Sequence, residues 1–151
     1  MENQELTPKV EEQLTISKTS TRFLNETRKW ANFLGIMGFI GVGFMLIAAL
    51  VMFVVFSFIP EANNPDMPFD LSYFSLFYVV FAIIYFFPVY YLFQFSLKMK
   101  TALTQKDNNY LEESLGFLKS HYKFMGILTI VMLASYPIII VGIVIFSLGN
   151  M

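Results

Sequence analysis

The chain has 151 residues, room for one domain, and is 56% hydrophobic but only 14% charged, with a formal net charge of −1. An ordinary water-soluble domain carries roughly 25% charged residues, and a disordered chain lacks this much apolar surface, so both classes are excluded. The absence of cysteine removes disulfides, thiolate metal sites and cysteine nucleophiles, and the near-neutral charge leaves no electrostatic footprint for nucleic acid.

Residues 1–20 are polar, with Glu2, Glu5, Pro8, Lys9, Glu11 and Glu12, and read as a mobile cytoplasmic tail. Residues 21–148 read as a single membrane domain. Ser20 or Thr21 is expected to cap a helix on which Phe23, Thr27, Trp30 and Leu34 recur at amphipathic spacing. Arg28, Lys29 and Trp30 form the join with the bilayer, Trp30 serving as an interfacial anchor rather than a ligand platform.

A spanning helix needs about 20 apolar residues. The stretches Ala31–Ile59, Leu71–Leu97 and Phe124–Leu148 exceed that length, and none contains Asp, Glu, Lys, Arg or His. They predict three transmembrane helices. The first follows a long polar segment and is too long for a signal peptide, so it is expected to stay as an anchor. Within it, Gly38, Gly41 and Ala48 fall near one face, where small residues let helices approach closely in lipid. That face serves either packing against the other spans or a contact between copies, and the first reading is adopted. The connector 60–70 holds Pro60, Pro65 and Pro68, which rule out a regular helix there.

The second span is rich in Phe and Tyr and contains Pro88, so a kink near Ile84 is expected. The Tyr85 hydroxyl needs a partner, for which a carbonyl freed by Pro88 is one candidate. Tyr85, Tyr90 and Gln94 admit a pore lining as one reading and packing with interfacial anchoring as the other, which is adopted. Residues 95–105 extend this helix into the cytoplasm, and Lys106-Asp107-Asn108-Asn109 reads as a turn. Asn109 and Glu112 have capping-box spacing. Leu111, Leu115, Leu118 and Tyr122 then form a stripe that predicts a separate cytoplasmic amphipathic helix over Asn109–Lys123, between spans two and three. Lys98, Lys100 and Lys123 are expected at the membrane surface as anchors. His121, the only histidine, reads as an ordinary surface residue. Pro137 interrupts the third span at a depth similar to that of Pro88, a hinge or a static bend, the latter adopted.

Lys and Arg stay on the cytoplasmic side of a span. Lys9, Lys18, Arg22, Arg28 and Lys29 precede the first span, and Lys98, Lys100, Lys106, Lys119 and Lys123 lie between the second and third. The connector 60–70 and the tail after Leu148 have none. The expected orientation is N-terminus cytoplasmic and C-terminus outside.

No charge lies inside a span, so no proton relay or voltage sensor is expected. The sequence has no Walker, dinucleotide, HExxH or GxSxG motif, and no catalytic residue, cofactor or metal site is expected. The segments Lys29-Trp30-Ala31-Asn32-Phe33-Leu34-Gly35-Ile36, Ile84-Tyr85-Phe86-Phe87-Pro88, Phe95-Ser96-Leu97-Lys98-Met99-Lys100-Thr101-Ala102-Leu103 and Leu118-Lys119-Ser120-His121-Tyr122-Lys123-Phe124-Met125-Gly126-Ile127 together resemble a family of small bacterial membrane proteins of unknown function, common in Bacteroidetes. The resemblance covers about residues 24–148 and implies a bacterial inner-membrane location and no known activity. The expected function is that of a non-enzymatic scaffold or accessory subunit in the lipid bilayer, working through helix contacts with its own copies or another membrane protein. The alternative is a small oligomeric channel or transporter, which needs a continuous polar lining.

Overall fold

Ser17 fixes where the first helix begins. In the computed structural model, which describes residues 16–58 and 72–149, the Ser17 Oγ accepts the backbone N–H of Ser20 at 3.1 Å, and its carbonyl accepts that of Thr21 at 2.9 Å. This is N-cap geometry, and α1 runs from it over Lys18–Phe58. The cap therefore precedes the Ser20 or Thr21 expected from sequence. Thr21 instead donates its hydroxyl back to the Ser17 carbonyl at 3.0 Å. Most of the expected tail (residues 1–15) and the connector 60–70 lie outside the described residues.

α2 covers Ser72–Gln105 and α3 covers Asn108–Gly149, and both continue through their prolines, Pro88 and Pro137. The turn between them is closed from both sides. Lys106 takes the left-handed conformation, φ 55°, and the Asp107 N–H reaches back to the Ala102 carbonyl at 3.3 Å. That is a Schellman stop for α2. Asp107 then caps α3, its Oδ1 accepting the Asn109 N–H at 2.8 Å while its carbonyl accepts the Leu111 N–H at 3.2 Å. Asp107, not Asn109, is thus the cap, and the Asn109–Glu112 capping box is not formed.

The separate amphipathic helix over Asn109–Lys123 is also corrected. These residues are the first turns of α3, which passes Lys123 without a break. No proline or turn signal stands between Asn109 and Met125. A corner at Lys123 would strand backbone groups where helix hydrogen bonds otherwise satisfy them. The apolar stripe is split accordingly. Leu111 and Leu118 are half-buried, while Leu115 and Tyr122 are exposed.

α2 is the middle helix. α1 and α3 each pack on it, and among the described residues their backbones do not approach one another, although side chains of both cover the same core cluster at the polar end. Gly35 lies against Phe93, Gly38 against Val89 and Asn32 beside Ser96, so α1 and α2 run antiparallel in constant register. Lys98 faces Glu113, Phe87 faces Phe124 and Pro88 faces His121, setting the α2–α3 register. The core sits at the polar end, where Ala31, Phe95 and Met99 are buried beneath Leu24, Leu92, Leu103, Leu111, Phe117 and Leu118. All three helices are long and apolar enough to cross a membrane, as a multi-pass arrangement requires.

Candidate functional site

With no charge in the spans, the features able to do work are helix contacts and the polar end. The α1–α2 seam is made by small residues. The buried residues of α1 are Ala31, Gly35, Val42 and Ala49, and Gly38 faces α2 among them. A Cβ on Gly38 would stand 2.6 Å and 2.9 Å from the two Val89 methyls, and one on Gly35 would stand 3.2 Å from the Phe93 Cα. The two helices therefore meet nearly backbone to backbone, as small residues permit in lipid. Of the small-face candidates, the structure places Gly38 in this seam. Gly41 and Ala48 are half-buried on its flank, about 80–100° round the helix, and nothing stands within 4 Å of a Cβ on Gly41. Gly35 lies in the seam as well, outside the face expected from sequence. The signal for it is the spacing of Ala31, Gly35, Gly38, Val42 and Ala49, which spans a narrower arc, about 60°, than the roughly 80° of Gly38, Gly41 and Ala48.

Polar groups between the helices are few and satisfied. Ser96 is buried and donates to the Phe93 carbonyl at 2.7 Å, with the Asn32 side-chain oxygen 3.2 Å from its Oγ. Ser114 is fully buried and donates to the Leu111 carbonyl at 2.7 Å. Serine suits both places because its hydroxyl can return its proton to the helix's own carbonyl. Gln94 donates to the Tyr90 hydroxyl at 3.1 Å one turn away, while Tyr85 is 47% exposed on the outside of α2. The structure thus joins two of the three polar candidates and leaves Tyr85 apart.

His121 is not a plain surface residue. It is half-buried, and its Nδ1 lies 2.8 Å from the carbonyl oxygen of Pro88, with Nδ1–H as the donor. The ring thus bridges α3 to the proline turn of α2. The side chain that reaches this turn is His121, not Tyr85, and the carbonyl it finds belongs to Pro88 itself.

The anchor candidates stand at different levels. Trp30 is 68% exposed with Phe33 edge-on to its ring, and Lys100 and Lys123 are exposed. Lys98 is half-buried and bonds Glu113 at 2.8 Å, with its ammonium 5.5 Å from the centre of the Tyr110 ring. The hydrogen bond to Glu113 holds the Lys98 ammonium above its ordinary value. Lys123 neighbours Phe124, which packs on Phe87, whereas Lys98 is ten residues beyond Pro88. The two lysines therefore lie roughly 15 Å apart along α2.

Past Leu128 the character of α3 changes. Every residue of 129–149 is exposed except Ser135, which is half-buried. Ile130, Leu133, Tyr136, Ile140 and Ile143 are each 59% or more exposed. Such apolar surface belongs in lipid or against another helix.

Fold and composition together define the class: an all-helical chain whose three helices are long and apolar enough to cross a membrane. Comparison with protein-family models, with curated proteins and with solved structures finds no match.

Proposed function

We propose that the protein is a non-enzymatic membrane scaffold or accessory subunit that works through helix–helix contact. The observation that carries this reading is the order α1–α2–α3, in which, among the described residues, the backbones of α1 and α3 do not approach one another. A row of three encloses no lumen and leaves the outer faces of α1 and α3 for other helices. The Tyr90–Gln94 bond supports the same reading, because these groups satisfy one another along α2 instead of presenting a continuous polar lining. The distribution of Lys and Arg supports placing the polar end in the cytoplasm of a bacterial inner membrane. Kinship with the small Bacteroidetes-type membrane proteins rests on the four segments quoted above.

The test is purification of the full chain in native lipid, mass measurement of the intact particle, and flux measurement after reconstitution. The expected outcome is a particle of fixed stoichiometry, with a second copy or another membrane protein, that conducts nothing. Selective ion flux that is lost in Gln94→Leu would establish the channel reading instead.

A further inference from the structure

Between the first turns of α1 and the last turns of α2 runs an open groove of about 410 Å³, into which Lys18, Arg22, Arg28 and Lys100 converge beside Asn25. No carboxylate lines it. Among the described residues the sole ion pair is Lys98–Glu113, so none of these four cations has an anionic partner there. Lys18, at the outer end, also lines a neighbouring cavity with Asp107 and Glu112, whereas the like charges of Arg22, Arg28 and Lys100 repel one another and favour a counter-anion.

The groove's chemistry narrows what that anion is. Arg28 is half-buried, and its Nε donates to the Asn25 Oδ1 at 2.8 Å. This bond fixes the guanidinium and leaves both Nη groups uncommitted, and a planar fork of that kind matches phosphate oxygens. Thr21 and Thr104 also line the groove, but their hydroxyls already donate to the Ser17 and Lys100 carbonyls. Recognition therefore falls to the charged groups.

Its position indicates the source. The register that sets Gly35 against Phe93 and Asn32 beside Ser96 also sets Arg28 level with Lys100. Arg28 is two residues from Trp30, and from there Phe33, Leu34, Ile36 and Met37 each expose about half their surface. Lipid covers apolar surface of this kind, so the Arg28–Lys100 end borders it on the α1–α2 side, while on α3 the register leaves Lys119 and Lys123 exposed about 12–20 Å nearer the apolar end. Lys18 lies ten residues, or about 15 Å, farther out. We propose that this groove binds the phosphate-bearing headgroup of an anionic phospholipid, gripped at its inner end by Arg28 and Lys100.

Native mass spectrometry of the full chain in a non-ionic detergent, titrated with phosphatidylglycerol or phosphatidylcholine, tests the proposal. Phosphatidylglycerol is expected to bind and phosphatidylcholine to bind far less. The double variant Arg28→Gln, Lys100→Gln is expected to weaken phosphatidylglycerol binding about 25-fold, at about fivefold per cation. Lys29→Gln with Lys119→Gln removes the same charge outside the groove and is expected to change affinity less than about twofold, since a charge off the site contributes only through screened solvent. Unchanged helix content by circular dichroism shows that each variant is folded. Equal losses in the two double variants, or equal retention of the two lipids, would overturn the proposal. Displacement of phosphatidylglycerol by an equal concentration of inorganic phosphate would overturn the lipid assignment in favour of a soluble anion.

Discussion

Gly38 and Gly41 are three residues apart, and their surroundings give them opposite tolerances. A methyl on Gly38 meets both branches of Val89, a side chain with one stiff torsion and little room to yield. Gly38→Ala is expected to cost about 1–3 kcal/mol through overpacking. Gly41→Ala meets nothing and is expected to be neutral or to gain up to about 1 kcal/mol from helix propensity. Reversible unfolding in mixed micelles measures both, and equal effects would contradict the seam. At the turn, Asp107→Ala removes the cap of α3 and is expected to cost about 1 kcal/mol. Lys106→Gly relieves a left-handed non-glycine residue and is expected to stabilise by a similar amount. Hydrogen exchange of the amides of residues 108–111 should quicken in the first variant and slow in the second. His121→Leu removes the bond to the Pro88 carbonyl, which is expected to cost about 0.5–1.5 kcal/mol in the same micelle assay.

Helices α2 and α3 are joined at their shared end by the capped turn, the Lys98–Glu113 pair and the His121–Pro88 bond, in that order away from the turn. The ammonium of Lys98 is held above its ordinary value of 10.5 by the Glu113 hydrogen bond. A cation whose pKa is raised on folding contributes its full stability below the unfolded value, and loses it as pH rises through the folded one. The Lys98 contribution is therefore expected to hold through neutral pH and to be lost in strong alkali. Unfolding of Lys98→Met should depend less steeply on pH over the alkaline range in which the parent weakens. The long elements were legible in the sequence because a run free of charge is a direct readout of lipid exposure. The continuity of α3 was not. The stripe Leu111, Leu115, Leu118, Tyr122 has helical spacing whether its helix stops at Lys123 or continues, so periodicity cannot find that boundary. The face that packs runs through Leu111, Ser114, Leu118 and His121, and a serine and a histidine carry no hydropathy signal.

At the scale of the whole molecule, the missing information was register. Hydropathy gives the length of each span but not which residues of neighbouring helices stand level. Nothing in the sequence announced that Arg28 meets Lys100, or that Lys123 lies near Pro88 and far from Lys98. Those pairings follow from Gly35 and Gly38 seating on Phe93 and Val89, and from serines that need no partner helix to satisfy them. The outcome is a row with α2 held on both sides, and with the outer half of α3 lacking any buried residue. In lipid a packed helix interface gains from close van der Waals contact, and a helix without one presents all its faces alike to the acyl chains. The chain has no native cysteine, so single cysteines can be placed in turn at residues 129–145, labelled with a photoactivatable cross-linker and irradiated in native membranes. If the protein is a scaffold that works through this segment, cross-linking to a neighbouring chain should rise and fall with a period of about 3.6 residues, marking one face. Cross-linking that is uniformly absent or flat around the helix would mean that lipid alone surrounds it, and would contradict the account.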